Sequence, residues 1–323
     1  MTAQLPLVVA SRLCSVEMAP ADDAFVPSTW VHRSGVLSLS QPRVMAIVNL
    51  TPDSFYDGGR LVHGGDVPDQ ALALQVCQQL AVDGADLVDI GGESTRPGAE
   101  PVPAERELAR IEPIIASLVA AAERSSFALP ISVDTRHAAV ARRALALGAD
   151  IINDVSGLAD PEMAAVVADG GAGLVVGHLR GDPSSMQRAV HFDDLLLEVQ
   201  SELLEAVERA VARGVERSRI VVDPGVGFGK SAEQSAALVA ASDHLARATR
   251  CPVLVGASRK SFLRVITGAS VENRLAGSLA AALVAVQHGA SIVRVHDTRE
   301  TVDALKVAAS IESARQRFTG GQA

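Results

Sequence analysis

The sequence predicts an α/β protein, a closed (β/α)₈ barrel in a single domain, and two observations support this fold class. Between residues 43 and 314, eight short apolar runs typical of buried parallel strands alternate with stretches rich in Ala, Leu, Glu and Arg. The length of this region is also close to the ~250 residues that such a barrel usually needs. The strand-like runs are Val44–Asn49, Asp86–Gly91, Pro130–Thr135, Asp150–Val155, Gly173–His178, Arg219–Pro224, Pro252–Ala257 and Ser291–His296.

A repeated Gly-Ala junction introduces four of these strands, in the segments DGADLVDI, LGADIIND, GGAGLVVG and HGASIVRV. The glycine is typical of a residue that ends a helix, and the apolar run after it is typical of a buried parallel strand. A doubly wound open sheet is the alternative fold. That fold more often carries a glycine fingerprint after its first strand, where this sequence has Asn49-Leu50-Thr51-Pro52.

The segments around the barrel strands complete the predicted organisation. Residues 1–40 are expected to form a weakly patterned N-terminal extension, residues 41–314 the barrel, and residues 315–323 a tail. Trp30 lies in STWVHRSGVLSLS, which could form a short hairpin; packing under the barrel and disorder are both open. The predicted helices are Asp69–Val82, Pro103–Glu123, Ala138–Leu147, Leu195–Arg213, Glu233–Thr249, Glu272–Gln287 and Glu300–Ile311.

The composition is that of a globular enzyme with a large core, since 48% of the 323 residues are apolar and 21% are charged. A net charge of −9 argues against non-specific binding to nucleic acid or to an anionic membrane. Cys14, Cys77 and Cys251 show no pairing framework, which indicates a reducing compartment. Because neither a membrane span nor a signal peptide is evident, we expect a cytoplasmic protein.

Polar side chains stand at or just after the end of every predicted strand. In a barrel, residues at the carboxyl ends of the strands carry the chemistry. Any one of them could be an ordinary capping residue, but a polar group at all eight ends is more than packing requires. These residues are Asn49, Asp89, Asp134, Asn153, His178, Asp223, Ser258 to Lys260, Arg294 and His296.

The stretch PVLVGASRKSFL, Pro252–Leu263, combines a buried strand, a glycine and the start of a helix-like segment. A helix N-terminus presents unpaired N–H groups, so an anion can bind there, and Arg259 and Lys260 add positive charge. A solvated basic helix start is the alternative interpretation. The stretch VVDPGVGFGKS is not a P-loop, because Pro224 stands where that motif needs glycine.

Two loops are predicted to close over the barrel mouth. NLTPDSFYDGG and GGESTRPGAEP both contain glycines that would allow movement, and both follow strands. The alternative is that they are ordinary surface turns. The sequence shows no His, Cys and carboxylate spacing typical of a zinc site, and no G-x-S-x-G nucleophile motif.

Seven motifs, in this order, closely resemble those of the dihydropteroate synthase family. They are NLTPDSFYDGG, DIGGESTRPGAEPV, SVDT, INDVSGL, DPGVGFGK, GASRKSFL and RVHD. The resemblance implies a (β/α)₈ transferase that joins 6-hydroxymethyl-7,8-dihydropterin pyrophosphate to p-aminobenzoate, giving 7,8-dihydropteroate and pyrophosphate for folate biosynthesis. It also implies inhibition by sulfonamides as mimics of p-aminobenzoate, and a homodimer formed through the late helices.

The resemblance assigns roles to individual residues. The catalytic set would be Lys260, Asp57, Arg96, Arg294 and His296, with Asp57 and Arg96 pairing when the loops close. The pterin would contact Asp134, Asn153, Asp223, Lys260 and Arg294. The p-aminobenzoate would contact Phe55, Thr95, Pro97, Phe228, Ser261 and Lys260. The pyrophosphate would contact Asn49, Arg96, Arg294 and His296, with Mg²⁺ on Asn49.

The implied mechanism is dissociative, with pyrophosphate leaving before the aryl amine attacks. Gly177-His178-Leu179 and Ala46 depart from the usual family pattern, and these changes bear on pterin affinity rather than on the reaction type. Two other readings remain: a methyltetrahydrofolate-dependent methyltransferase, and a non-catalytic paralogue that binds a pterin or a partner protein.

Overall fold

The computed structural model describes residues 27–51, 61–63, 67–94, 98–124, 127–181, 186 and 191–319. The strands of this part of the chain are short and mostly buried, as the apolar runs predicted. They are β1 (Thr29–His32), β2 (Gly35–Ser38), β3 (Arg43–Asn49), β4 (Val62–His63), β5 (Val67–Pro68), β6 (Leu87–Gly91), β7 (Ile131–Asp134), β8 (Ile151–Asp154), β9 (Gly173–Gly177), β10 (Ile220–Asp223), β11 (Leu254–Val255) and β12 (Ile292–Val295).

Eight strands form one parallel sheet in the order β10-β9-β8-β7-β6-β3-β12-β11. The two outer strands of this order also meet, since Val222 of β10 forms a parallel bridge with Val253 beside β11. The Val222 N–H donates to the Pro252 carbonyl at 2.9 Å. This bridge closes the sheet into a barrel, so the predicted (β/α)₈ fold is confirmed and the open doubly wound alternative is excluded.

Helices connect the strands along the outside of the barrel, with three departures from the prediction. The short helix between β8 and β9 was not predicted, and the predicted helix Glu233–Thr249 is split in two near Ala240. The last helix also runs past residue 314. The helices are α1 (Gln70–Val82), α2 (Ala104–Glu123), α3 (Ala138–Leu147), α4 (Met163–Gly170), α5 (Leu195–Ala212), α6 (Ala232–Val239), α7 (Ser242–Thr249), α8 (Ser261–Thr267), α9 (Leu275–Gln287) and α10 (Thr298–Thr319).

The Gly-Ala junctions behave as predicted. Gly148 ends α3 with φ of 115°, and its N–H donates to carbonyls of the last helical turn. The glycines of the other three junctions, Gly84, Gly171 and Gly289, also have a positive φ. The alanine after each glycine is buried. The chain therefore turns sharply from each of these helices into the next buried strand, and the positive φ would strain any other residue there.

The hairpin β1–β2 closes the amino-terminal end of the barrel. Trp30 is fully buried, and its Nε1 donates to the Arg219 carbonyl at 2.8 Å. It packs close to Gly173, where an added Cβ would lie 3.3 Å from the indole ring. The buried cluster around Trp30 takes one residue from each of seven barrel strands: Met45, Leu87, Ile151, Val175, Val221, Leu254 and Ile292. Of the two alternatives for this segment, packing under the barrel is therefore the one observed.

Among the described residues, no helix combines the length and the apolar character needed to cross a bilayer.

We expect Trp30→Ala to lower the free energy of unfolding by about 3–5 kcal/mol, because it removes a large buried ring and leaves a cavity. Urea denaturation followed by circular dichroism measures this change. Val36→Ala on the same hairpin is the control, since Val36 is 61% exposed. Equal effects of the two substitutions would contradict the view that Trp30 closes the barrel.

Candidate active site

The carboxyl ends of the barrel strands surround a cavity of about 670 Å³. Active sites of this fold lie at this end, because side chains from several strands meet there. Most of the described candidate residues contribute to the wall of this cavity. They are Asn49, Asp134, Phe228, Lys260, Ser261, Arg294 and His296.

The other described candidates, Asn153 and Asp223, are almost completely buried. Asn153 donates to Asp89, which in turn binds Arg294 of the cavity wall. Asp223 Oδ2 lies 3.8 Å from where a Cβ on Gly256 would be, and Gly256 lines the cavity. The remaining candidates lie outside the described residues, and their assigned roles stay predictions. They are Phe55, Asp57, Thr95, Arg96 and Pro97.

A buried network of charged groups connects the strand ends. Arg294 on β12 donates from Nε to Asp89 Oδ2 at 2.6 Å and from a terminal nitrogen to Asp134 Oδ2 at 2.8 Å. Asp89 also accepts from Ser132 Oγ at 2.6 Å and from Asn153 Nδ2 at 3.0 Å. Asp89 was noted only as a strand-end residue, and the structure shows that it holds Arg294 and Asn153 in place.

Burial changes the protonation of the carboxylates in this network. It raises the pKa of Asp134 to about 7, although Arg294 opposes the shift, and Asp89 adds to it. Burial also raises the pKa of Asp223, against the opposing effects of Lys260 and the Gly225 N–H. Carboxyl groups with such pKa values are typical of functional sites in clefts.

Gly225 fixes the orientation of Asp223. Its N–H donates to Asp223 Oδ1 at 2.7 Å, and its φ of 67° is in the left-handed region. An added Cβ would lie only 1.9 Å from the His178 carbonyl oxygen, so no other residue fits here without movement of the backbone. One oxygen of Asp223 is therefore held by the loop, while the other approaches the cavity wall.

Lys260 reaches into the same region from the turn before α8. Its Nζ donates to the Val226 carbonyl and lies 4.0 Å from the centre of the Phe228 ring. Burial lowers the pKa of Lys260 to about 8, although Asp223 opposes this shift. Lys260 is thus a cation held close to a carboxylate and an aromatic face, a combination suited to a flat polar ligand.

The other cation of this turn has a structural role. Arg259 has φ of 56°, and its guanidinium makes a bidentate ion pair with the buried Asp297 at 2.9 and 2.6 Å. Its charge is therefore balanced by Asp297. His296 lies beside this pair, with Nδ1 3.1 Å from Ser258 Oγ. Of the two charges predicted to favour an anion, Lys260 is the one close to Asp223.

A second buried lysine supports the loop that carries Gly225 and Phe228. Lys230 Nζ lies 2.9 Å from His178 Nδ1 and donates to the Phe228 carbonyl at 2.9 Å. Burial lowers the pKa of Lys230 to about 7, and burial together with Lys230 lowers the pKa of His178 to about 4. His178 Nε2 lies 3.0 Å from Glu202 Oε2. These contacts connect the loop after β10 to the end of β9 and to α5.

A cluster behind the β6 loop was not predicted from the sequence. Glu93 lines the cavity and accepts two hydrogen bonds from Arg136 at 2.9 Å. Nearby Glu107, in the first turn of α2, is completely buried, and burial raises its pKa to about 8. His137 at the start of α3 lies next to both acids. Nothing in the sequence spacing indicates this arrangement, because it depends on how α2 packs on the barrel.

The chain matches the family described as "Pterin binding enzyme" over residues 45–296. It is 44% identical over 278 residues to the dihydropteroate synthase of Neisseria meningitidis serogroup B, covering 84% of this chain and 93% of that protein. It is also 43% identical over 266 residues to a "Probable bifunctional folylpolyglutamate synthase/dihydropteroate synthase" of Haloferax volcanii, covering 82% of this chain but only 30% of that longer protein.

Solved structures show the same similarity. The Yersinia pestis dihydropteroate synthase with a sulfonamide drug complex superimposes with a TM-score of 0.81 at 38% identity, covering 88% of this chain and 99% of that one. The Burkholderia cenocepacia dihydropteroate synthase complexed with 7,8-dihydropteroate gives a TM-score of 0.78 at 38% identity, covering 91% of this chain and 100% of that one. With the barrel, the strand-end residues and these matches in agreement, this chain belongs to the dihydropteroate synthase family of pterin-binding enzymes.

Proposed function

We propose that this chain condenses 6-hydroxymethyl-7,8-dihydropterin pyrophosphate with p-aminobenzoate, releasing 7,8-dihydropteroate and pyrophosphate. The observation that carries the proposal is the convergence of Asp223, Lys260 and the Asp89–Arg294–Asp134 network on one cavity. The relatives support it, since the Burkholderia cenocepacia structure was solved with 7,8-dihydropteroate. The Yersinia pestis complex supports sulfonamides as inhibitors of this chain as well.

The buried polar groups beside the cavity suit the edge of a pterin. A 2-amino-4-oxo pterin presents adjacent N–H donors, and a carboxylate such as Asp223 accepts from both in charge-assisted hydrogen bonds. The Gly225 N–H already holds one oxygen of Asp223, so binding requires little reorganisation. Asn153 and Asp134 would contact the rest of the polar edge, and Lys260 would donate to the ring carbonyl or a ring nitrogen.

Arg294 is positioned for both the pterin and its leaving group. Its two hydrogen bonds to Asp89 and Asp134 fix the plane of the guanidinium. A planar cation held in this way can stack on a flat ring, while its remaining nitrogen can pair with pyrophosphate. His296, which lines the same cavity, would provide a second contact to pyrophosphate.

The residues of the cavity also fit the predicted Mg²⁺. Asn49 lines the cavity and offers an amide oxygen, a hard ligand of the kind that Mg²⁺ prefers. A single protein oxygen is compatible with Mg²⁺, because this ion usually takes other ligands from substrate phosphates and water. When bound, the ion would neutralise part of the charge on the pyrophosphate.

The proposed chemistry needs no covalent bond to the protein. The bond between the pterin methylene carbon and the pyrophosphate oxygen breaks first, and its electron pair leaves with pyrophosphate. The amine nitrogen of p-aminobenzoate then bonds to that carbon and releases one proton. Phe228 and Lys260 would pack against this second substrate, and Ser261 at the start of α8 would bind its carboxylate. Catalysis is then mainly positioning and electrostatic stabilisation.

We also propose that the protein is cytoplasmic and forms a homodimer. The two described cysteines, Cys77 and Cys251, are free and buried, as in proteins of reducing compartments. The neighbouring helices α9 and α10 expose large apolar side chains, including Val284, Val307 and Ile311. Exposed apolar groups on adjacent helices are suited to contact with a second copy of the chain.

Asp223→Asn and Lys260→Ala are each expected to lower kcat/KM by at least about 10²-fold, because each removes a charged contact to the pterin. The assay is release of pyrophosphate from the pterin pyrophosphate in the presence of p-aminobenzoate and Mg²⁺. The control is Lys306→Ala, which alters an exposed lysine on α10.

Near-normal turnover in Asp223→Asn or Lys260→Ala would overturn the assignment of the site. Methyl transfer to a corrinoid acceptor, with no reaction of p-aminobenzoate, would favour the methyltransferase instead. Pterin binding without release of pyrophosphate would favour a non-catalytic protein.

The rate should also fall at alkaline pH. Because the pKa of Lys260 is lowered to about 8, its ammonium group loses its proton as pH rises through this value. We expect kcat/KM, which reports the free enzyme, to decrease above about pH 8. Lys260→Arg should be less active but should not show this decrease, because arginine stays protonated. A decrease of equal size in Lys260→Arg would show that another group titrates.

Sedimentation velocity tests the homodimer. The wild-type chain should sediment as a dimer, and Ile311→Lys should sediment as a monomer, because a charge would be placed on the apolar contact. Val82→Lys is the matched control, since Val82 is 80% exposed at the end of α1. A wild-type monomer at micromolar concentration would contradict the proposal.

A further inference from the structure

The cluster behind the β6 loop joins three separate elements. Glu93 follows β6, Glu107 lies in the first turn of α2, and His137 precedes α3. One oxygen of Glu93, one oxygen of Glu107 and one ring nitrogen of His137 all lie within 4.8 Å of one another. These residues have no part in the proposed transfer reaction, so the arrangement needs its own explanation.

Glu107 is the most unusual member of this cluster. Its side chain is completely buried, and among the described residues neither of its oxygens makes a hydrogen bond of ordinary length and angle. The Thr135 hydroxyl is close enough to affect the carboxyl group, but it does not satisfy that geometry. His137 Nε2 is also buried and without a hydrogen-bond partner in the same set of residues. Buried polar groups are normally paired, so three such atoms together indicate a missing partner.

The distances within the cluster suit a metal ion. His137 Nε2 lies 3.9 Å from Glu93 Oε2 and 3.9 Å from Glu107 Oε2. Metal–ligand bonds of about 2.0–2.2 Å at a tetrahedral angle place neighbouring ligand atoms about 3.4 Å apart. The two atoms of each pair would therefore need to approach each other by only about 0.5 Å to bind the same ion.

The two carboxyl groups of the cluster have different surroundings. Glu93 pairs with Arg136 through both of its oxygens. Glu107 lies 3.9 Å from His137 Nε2, and its carboxyl group makes no hydrogen bond among the described residues. A cation bound between Glu107 and His137 would therefore give both groups a partner.

We propose that Glu93, Glu107 and His137 form a binding site for a divalent transition-metal ion of the zinc type. One imidazole nitrogen and two carboxylate oxygens are the ligands that Zn²⁺ accepts, while Mg²⁺ prefers oxygen alone. This site is separate from the Mg²⁺ position proposed at Asn49, and it does not depend on the proposed transfer reaction.

The bound ion would fix the base of the loop after β6. Glu93 accepts from the Val102 N–H at 2.9 Å, and Arg110 on α2 donates to the Gly92 carbonyl at 2.6 Å. An ion shared with Glu107 and His137 would add a direct link from this loop to α2 and α3. The loop leads into Thr95, Arg96 and Pro97, so the ion would stabilise the segment from which those residues extend.

Calorimetric titration of the untagged, chelator-treated chain with Zn²⁺ alone tests the proposal. We expect one Zn²⁺ per chain, with Mg²⁺ unable to compete. Glu107→Gln and His137→Gln should each weaken binding by more than about tenfold, because loss of a ligand exceeds the ~10–100-fold cost of losing an outer hydrogen-bond partner. His191→Gln is the control, since it removes an exposed histidine that also lies beside a carboxylate.

Two measurements on the wild-type chain keep the test valid if a variant does not fold. Co²⁺ should give visible absorption bands that Zn²⁺ displaces. A crystal soaked in Zn²⁺ should show anomalous density between the three ligand atoms. The proposal is overturned if no stoichiometric Zn²⁺ binds, if both variants bind as the wild type does, or if the anomalous density lies elsewhere. Absence of stoichiometric Zn²⁺ binding would indicate that a water molecule or a shared proton is the hydrogen-bond partner of the Glu107 carboxyl group. None of these results bears on the synthase reaction.

Discussion

The active end of this barrel depends on the ion pairs of Arg294 with Asp89 and Asp134. These groups come from β12, β6 and β7, and together they account for much of the buried charge at the strand ends. Removing Arg294 would leave two buried carboxyl groups without their positive partner, which is strongly destabilising. The same pairs set the position of Asn153 through Asp89. Structural integrity and the proposed recognition of the pterin therefore depend on one set of contacts.

The loop after β10 shows how the backbone contributes to the same end. Gly225 holds Asp223, Lys260 contacts the Val226 carbonyl, and Lys230 holds the Phe228 carbonyl. Two buried lysines thus donate to carbonyls of one loop, at Val226 and Phe228. Both have a lowered pKa, because burial disfavours their charged forms. The structure maintains positive charge close to Asp223 at an energetic cost, as is common at functional sites.

The repeating pattern of the sequence was sufficient to predict the barrel and the end at which its site lies. Apolar runs and Gly-Ala junctions determine where strands begin, and parallel strands necessarily bring Asp134, Asp223 and Arg294 to the same rim. Position along the chain does not determine side-chain pairing. The partners Asp297 for Arg259 and Asp89 for Arg294 became evident only from the packed structure.

The same limit explains why the Glu93, Glu107 and His137 cluster was not predicted. Its members are spread over three elements, and their proximity depends on the rotation of α2 against the barrel. The short helix α4 was missed for a related reason, because a single apolar segment of eight residues between two strands carries little periodicity. The roles predicted for Phe55, Asp57, Thr95, Arg96 and Pro97 rest on the family resemblance alone.

The closed lower end of the barrel has a consequence for the order of events. Because the indole of Trp30 and its neighbours fill that end, the reactants and the products share the opening at the opposite rim. Asp223 is almost completely buried behind Gly256 of the cavity wall, whereas Ser261 is exposed at the start of α8. In the proposed arrangement the pterin binds Asp223 and p-aminobenzoate binds Ser261, so the pterin lies deeper. The proposal therefore implies a compulsory sequence of arrival, with the bicyclic ring first and the aryl amine second.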